Sequence, residues 1–122
     1  MKRYSQNHEW VDAQDSVATV GISDYAAEEL GDITFVELPE AGRQVAKGDV
    51  LCVVESVKAA SDVYAPIGGT VSEVNSELEG TPEIINDSPE EKGWLCKLEN
   101  VNKEDVDGLM DPDAYKTFVA ES

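Results

Sequence analysis

The stretch Gly48-Asp49-Val50-Leu51-Cys52-Val53-Val54-Glu55-Ser56-Val57-Lys58-Ala59-Ala60-Ser61-Asp62-Val63-Tyr64-Ala65-Pro66 decides the fold. Lys47-Gly48-Asp49 is a turn signal, and the run from Val50 to Val54 is rich in β-branched residues that favour extended backbone. Ser61 to Ala65 extends again until Pro66 closes it. Two strands joined near Val57-Lys58-Ala59 make a hairpin whose tip carries a lysine.

The flanks read the same way. Ser16 to Ile22 alternates apolar with small or polar residues, as a half-buried strand does, and Ile33 to Leu38 forms another before Pro39. Between them Ser23 or Asp24 can cap a short helix that Gly31 ends. Thr70 to Val74 alternates after the Gly68-Gly69 turn. Leu78 to Gly93 reads as loop, with one helical turn over Glu83 to Asn86. Trp94 to Leu98 is the last strand. From Asn102 the period becomes helical: Val106, Leu109 and Met110 share a face, Asp111-Pro112 breaks the run, and Asp113 can cap a final helix carrying Tyr115, Phe118 and Val119. Strands first and helices last predict a mainly β sandwich or barrel with a helical appendage. One domain is expected over residues 1–122, with a β core from about 10 to 99 and the appendage from about 102 to 120.

Composition narrows the function. The net charge is −17 at pH 7. A phosphate backbone and anionic lipid headgroups would both repel such a surface, so neither nucleic acid nor membrane is an expected partner. The acid excess keeps the chain soluble or steers it toward basic partner surfaces. No apolar run approaches the roughly 18 residues that span a bilayer. The start, Met1 to His8, turns polar where a signal peptide needs an apolar stretch, so a cytoplasmic location is expected. Cys52 and Cys96 lack Cys-x-x-Cys spacing and each sits in an apolar run, which reads as buried, reduced thiols.

Groups for catalysis or metal binding are sparse. His8 is the only histidine, and it reads as a surface residue ahead of the first ordered segment. Two isolated cysteines and one histidine do not make a soft-metal site. Lys58 is different. A turn lysine ordinarily serves solubility, but here small or apolar neighbours leave the amine projecting, as a modifying enzyme needs. Joining an acid to that amine forms an amide, removes the charge and adds reach. The protein would then be a rigid mount for a prosthetic group that supplies the chemistry.

Val54-Glu55-Ser56-Val57-Lys58-Ala59-Ala60-Ser61-Asp62-Val63-Tyr64-Ala65-Pro66 resembles the lipoyl-attachment region of the glycine cleavage system H proteins. The likeness extends through His8-Glu9-Trp10-Val11, Ala18 to Ala26, Leu30 to Pro39, Pro82-Glu83-Ile84-Ile85-Asn86 and Gly93-Trp94-Leu95. In order, these motifs cover most of the chain.

The resemblance implies a β-sandwich of the lipoyl/biotinyl-carrier type (a barrel-sandwich hybrid) with short helices and a C-terminal helix. It implies lipoate, joined as N6-lipoyllysine at Lys58 within the motif Glu55, Ser56, Val57 and Ala59. It implies a carrier that is not itself an enzyme. Such a carrier takes the aminomethyl group of glycine from the P protein, a glycine decarboxylase, to the T protein, an aminomethyltransferase. The L protein, a dihydrolipoamide dehydrogenase, reoxidises the dithiol. A lipoate ligase or a lipoyl/octanoyltransferase would attach the group, and the carrier would act as a monomer. No metal is implied. The arm cleft of the family would match Glu9 and Asp62 here, and Glu29 stands where some relatives have histidine.

Three other readings are open at this level. A biotinyl carrier usually flanks its lysine with methionines, where this chain has Val57 and Ala59. A lipoyl domain of a 2-oxo acid dehydrogenase acyltransferase would continue into linkers and a catalytic domain beyond Ser122. An acidic binding module would leave Lys58 unmodified.

Overall fold

The strands of the computed structural model, which describes residues 2–121, fall into two antiparallel sheets. In chain order the elements are β1 (Lys2–Tyr4), β2 (Glu9–Gln14), β3 (Val17–Ile22), α1 (Asp24–Leu30), β4 (Ile33–Glu37), β5 (Gln44–Val45) and β6 (Val50–Ser56). Then follow β7 (Ala60–Tyr64), β8 (Gly69–Val74), α2 (Glu77–Gly80), α3 (Ile84–Asp87), β9 (Cys96–Glu99), α4 (Lys103–Asp107) and α5 (Pro112–Ala120). One sheet runs β1-β2-β3-β9-β8-β5 and the other β4-β6-β7. The expected hairpin is the β6–β7 pair.

The two sheets share their core. Leu51 of β6 packs with Val11, Val20, Val71 and Leu98 of the larger sheet. Val36, Val54 and Val63 of the smaller sheet pack with Ile22, Leu78 and Leu95. Apolar side chains drawn from both sheets into common clusters are what make a sandwich. A bulge lets β6 contribute more than alternation allows. The register steps from Val50↔Tyr64 to Cys52↔Val63, so Leu51 is the extra residue. Leu51 and Cys52 are consequently both buried. The sequence expectation of buried, free thiols holds for Cys52 and Cys96.

Local chemistry sets the helices. Ser23 Oγ accepts the Ala26 N–H and caps α1, which ends at Gly31 with φ of +78°, a conformation costly for any residue with a Cβ. The last helix departs from the sequence reading. Asp111, not Asp113, is its cap, and Pro112 opens the helix instead of only breaking the one before. Proline is well suited to that first position because its missing N–H would have no partner there. A second departure is β1, which pairs with β2 through Lys2↔Asp12 to Tyr4↔Trp10. Its three residues, Lys-Arg-Tyr, carry no apolar alternation; cross-strand pairing creates the strand.

Trp10 fastens β2 and β3 to the long loop. Its ring lies against Gly21, its cross-strand partner, and its Nε1 donates to the Pro89 carbonyl at 3.0 Å. A Cβ on Gly21 would stand 2.7 Å from three ring atoms. The buried ring has no room to withdraw, so Gly21→Ala is expected to cost about 1–3 kcal/mol. Urea unfolding checks this, and an unchanged midpoint would show that the ring can yield.

Candidate functional site: the hairpin lysine and the adjoining cleft

Residues 56–59 form a turn locked by one serine. Ser56 N–H donates to the Ala59 carbonyl at 2.9 Å. Ser56 Oγ accepts the Lys58 and Ala59 N–H groups at 3.2 and 3.3 Å and donates to the Ala59 carbonyl at 3.2 Å. Serine competes well for nearby backbone groups, so it suits a turn of this kind. Val57 N–H donates to the Asp32 carbonyl at 3.0 Å, which ties the turn to the segment entering β4. The Val57 side chain is left 68% exposed. Glu55, Lys58 and Ala59 are exposed too, and Ser56 is half-buried. The motif therefore divides into a locked backbone and an exposed lysine side chain.

Lys58 bends back toward α1. Its stem passes over Gly31, and its Nζ donates to the Glu29 carbonyl at 3.3 Å. The last carbonyls of a helix lack partners within it and attract cations. Asn86 braces this region: its Nδ2 donates to the Gly31 carbonyl and its Oδ1 accepts the Ile33 N–H, each at 2.8 Å. The motif Pro82 to Asn86 does not disclose that role, because its partners are backbone groups more than fifty positions away.

Beside the lysine lies a cleft of about 180 Å³. Tyr25, Ala26, Glu29 and Leu30 of α1 form one wall, and Ser61, Asp62 and Val63 along β7 form another. Asn7 and His8 of the link between β1 and β2, with Glu9 at the start of β2, close it. Glu29 belongs to both places, since its carbonyl receives Lys58 and the residue lines the cleft. The structure thus brings Glu9 and Asp62 together in one hollow and adds Glu29 to them.

Glu9 is 2% exposed. Its carboxylate accepts the Ser5 hydroxyl and, at 3.3 Å, the Tyr64 N–H. No cationic side chain among the described residues pairs with it. Burial pushes its pKa up from the ordinary value, against the pull of those two hydrogen bonds. A buried carboxylate without a cation is costly unless a ligand supplies one.

His8 corrects the sequence reading. It follows β1 and is half-buried with φ of +67°. Its ring centroid is 4.7 Å from that of Tyr25, and its Nδ1 lies 2.8 Å from the Tyr115 hydroxyl. Nothing near it in sequence announces these partners; Tyr115 arrives from the far end of the chain.

The glycine cleavage H-protein family model matches residues 2–122. The chain belongs to the glycine cleavage H-protein family. It is 51% identical to the glycine cleavage system H protein of Thermotoga maritima, over 99% of this chain and 98% of that protein. It is 56% identical to that of Caulobacter vibrioides, over 96% and 97%. The crystal structure of a glycine cleavage system H protein from Mycobacterium marinum superposes with a TM-score of 0.88 at 34% identity, covering 98% of this chain and 96% of that one. H proteins are the non-catalytic lipoyl carriers of the glycine cleavage system and bear lipoate on a lysine. This chain therefore works with the other components of that system. Among the described residues no helix is long and apolar enough to cross a membrane.

The burial of Glu9 has a signature in stability. Its folded pKa lies above the ordinary 4.5, so the folded state keeps the proton to higher pH than the unfolded chain. The folded state thus binds more protons in that window, and the wild type loses stability as pH rises through it. Glu9→Gln carries no such titration. Its unfolding free energy is expected to improve relative to the wild type between pH 4.5 and neutrality. Parallel denaturation series check this, and a pH-independent difference would refute it.

Proposed function

We propose that Lys58 is the lipoyl attachment residue and that the cleft of Glu9, Glu29 and Asp62 receives the loaded arm. One observation carries the reading: a locked turn presents an exposed lysine beside a hollow that contains a buried carboxylate with no cation among the described residues. The residues fit the group. The amine is exposed and held by one 3.3 Å hydrogen bond to the Glu29 carbonyl. After losing a proton it attacks an activated lipoyl group. The bond from the acyl carbon to the activating group breaks, a second proton is released, and an ammonium becomes a neutral amide. The arm then starts next to its own shelter.

Lipoate supplies the redox-active dithiolane that accepts the aminomethyl unit from the P protein and yields it to the T protein. The chain's own residues do the rest. Ser56 holds the turn so that the anchor does not drift. Glu9, Glu29 and Asp62 offer carboxylates to a protonated amine, and such charge-assisted contacts strengthen as water is excluded. Tyr25, Leu30 and Val63 line the hollow with apolar surface. Tethering raises the concentration of the arm at whichever active site docks the protein. The net charge of −17 favours fast, salt-sensitive encounters with basic partner surfaces. In this reading the protein acts as a monomeric single domain in the cytoplasm, loaded by a lipoate ligase or a lipoyl/octanoyltransferase and served by the P, T and L proteins in turn.

Lys58→Arg keeps the charge but cannot form the amide. It is expected to fold as the wild type does, to gain no lipoyl mass when incubated with a lipoate ligase and lipoate, and to lose glycine–bicarbonate exchange with the P protein. Peptide mass spectrometry reads the first outcome directly. Lipoyl mass on another lysine would overturn the assignment.

A further inference from the structure

We infer that Tyr115 is a positioning residue for the arm cleft, its hydroxyl tying helix α5 at once to His8 and to the first turn of α1. The inference rests on the cleft being the arm's shelter.

The connection is short and continuous. Tyr115 Oη lies 2.8 Å from His8 Nδ1 and 2.6 Å from Ser23 Oγ. Ser23 Oγ also accepts the Ala26 N–H that begins α1. His8 lines the cleft directly, and α1 supplies one of its walls. One phenol from the end of the chain thus touches two sides of the same hollow.

Proton accounting gives the chain a direction. Burial lowers the His8 pKa, so the ring is neutral near pH 7 and one nitrogen accepts. If Nδ1 carried the proton, it would donate to Tyr115 and Tyr115 to Ser23. The Ser23 hydroxyl proton would then have no acceptor among the described residues. In the opposite sense Ser23 donates to Tyr115 and Tyr115 donates to His8 Nδ1, and every hydroxyl proton is placed. His8 is therefore the Nε2–H tautomer.

The tie matters because His8 is held against its own preference. A φ of +67° is uncommon for a residue with a Cβ, so contacts from elsewhere must hold it there. Tyr115 is itself anchored, 8% exposed and stacked on Tyr4 at 4.2 Å between centroids. Phe118 adds a ring 5.8 Å from His8 but no hydrogen bond to it. Two backbone hydrogen bonds hold the His8 main chain, to the Ser5 carbonyl at 3.1 Å and from the Ser23 N–H at 2.9 Å. The Tyr115 hydroxyl is the directional contact on the imidazole itself, and the rings are packing. Other ionisable groups about the imidazole are Glu29 and Tyr25 of α1, Asp62 of β7 and the adjoining Glu9.

Tyr115→Phe removes only the hydroxyl, and Phe118→Leu removes only a ring. In unlipoylated protein, 15N NMR of the imidazole is expected to show the Nε2–H tautomer in wild type and Phe118→Leu. In Tyr115→Phe it should show a mixture of tautomers and a higher His8 pKa. Lipoylated protein loaded by the P protein is expected to lose its cargo spontaneously roughly three- to tenfold faster in Tyr115→Phe, with the Phe118→Leu rate near that of wild type. Free lipoamide bearing the same cargo is the reference. A wild type that retains cargo no longer than free lipoamide would sink the shelter reading itself. A wild type that retains it, with Tyr115→Phe matching it in tautomer or in retention, would sink the role of Tyr115 alone. Equal acceleration by Phe118→Leu would assign the effect to packing and overturn the inference as well.

Discussion

Strand β6 is the constraint on which the rest depends. It is the middle strand of its sheet, bonded to β4 on one side and β7 on the other. The bulge at Leu51 sends consecutive side chains into the core. Val54, wholly buried, gives the strand a further hold before it leaves the body at Glu55. Since the strand is gripped from both edges and from beneath, the turn that follows inherits a fixed position. A carrier needs that property: the arm must move, but the point from which it moves must not.

On the proposed reading, the molecule separates anchoring from sheltering. Anchoring is local, because Ser56 satisfies the turn with bonds no longer than four residues in reach. Sheltering is collective, because the cleft takes a helix, a strand and a link from three parts of the chain. The buried Glu9 connects the two economies of contact. It accepts from the Tyr64 N–H of β7, the strand that descends from the lysine turn. A carboxyl group kept out of water, with two donors and no cation among the described residues, is a site suited to a positive guest.

The C-terminal helix reads differently once its contacts are known. It packs through Tyr115 and Phe118 on an aromatic cluster around Tyr4, Trp10 and His8. It thereby joins β1, at one edge of the larger sheet, to the link that carries His8. An element that looks like an appendage in sequence is thus packed against His8, a residue that lines the cleft.

Sequence alone determined the hairpin, the lysine at its tip, the sandwich class and the family. These rest on short-range chemistry: β-branched runs, a proline stop, glycine turn signals and ordered motifs. It also assigned Glu9 and Asp62 to an arm cleft, though only through the family resemblance, and the structure brings the two to one hollow. It read His8 as a loose surface residue, Asp113 as the last cap and the segment before residue 10 as outside the β core. Tertiary structure alone decided those points. The strand at Lys2–Tyr4 exists through pairing with β2. His8 is held by a phenol 107 positions away, and Asn86 braces a turn 55 positions distant. Such contacts leave no periodic trace, because a single polar side chain meeting a remote backbone or hydroxyl group has no pattern to repeat.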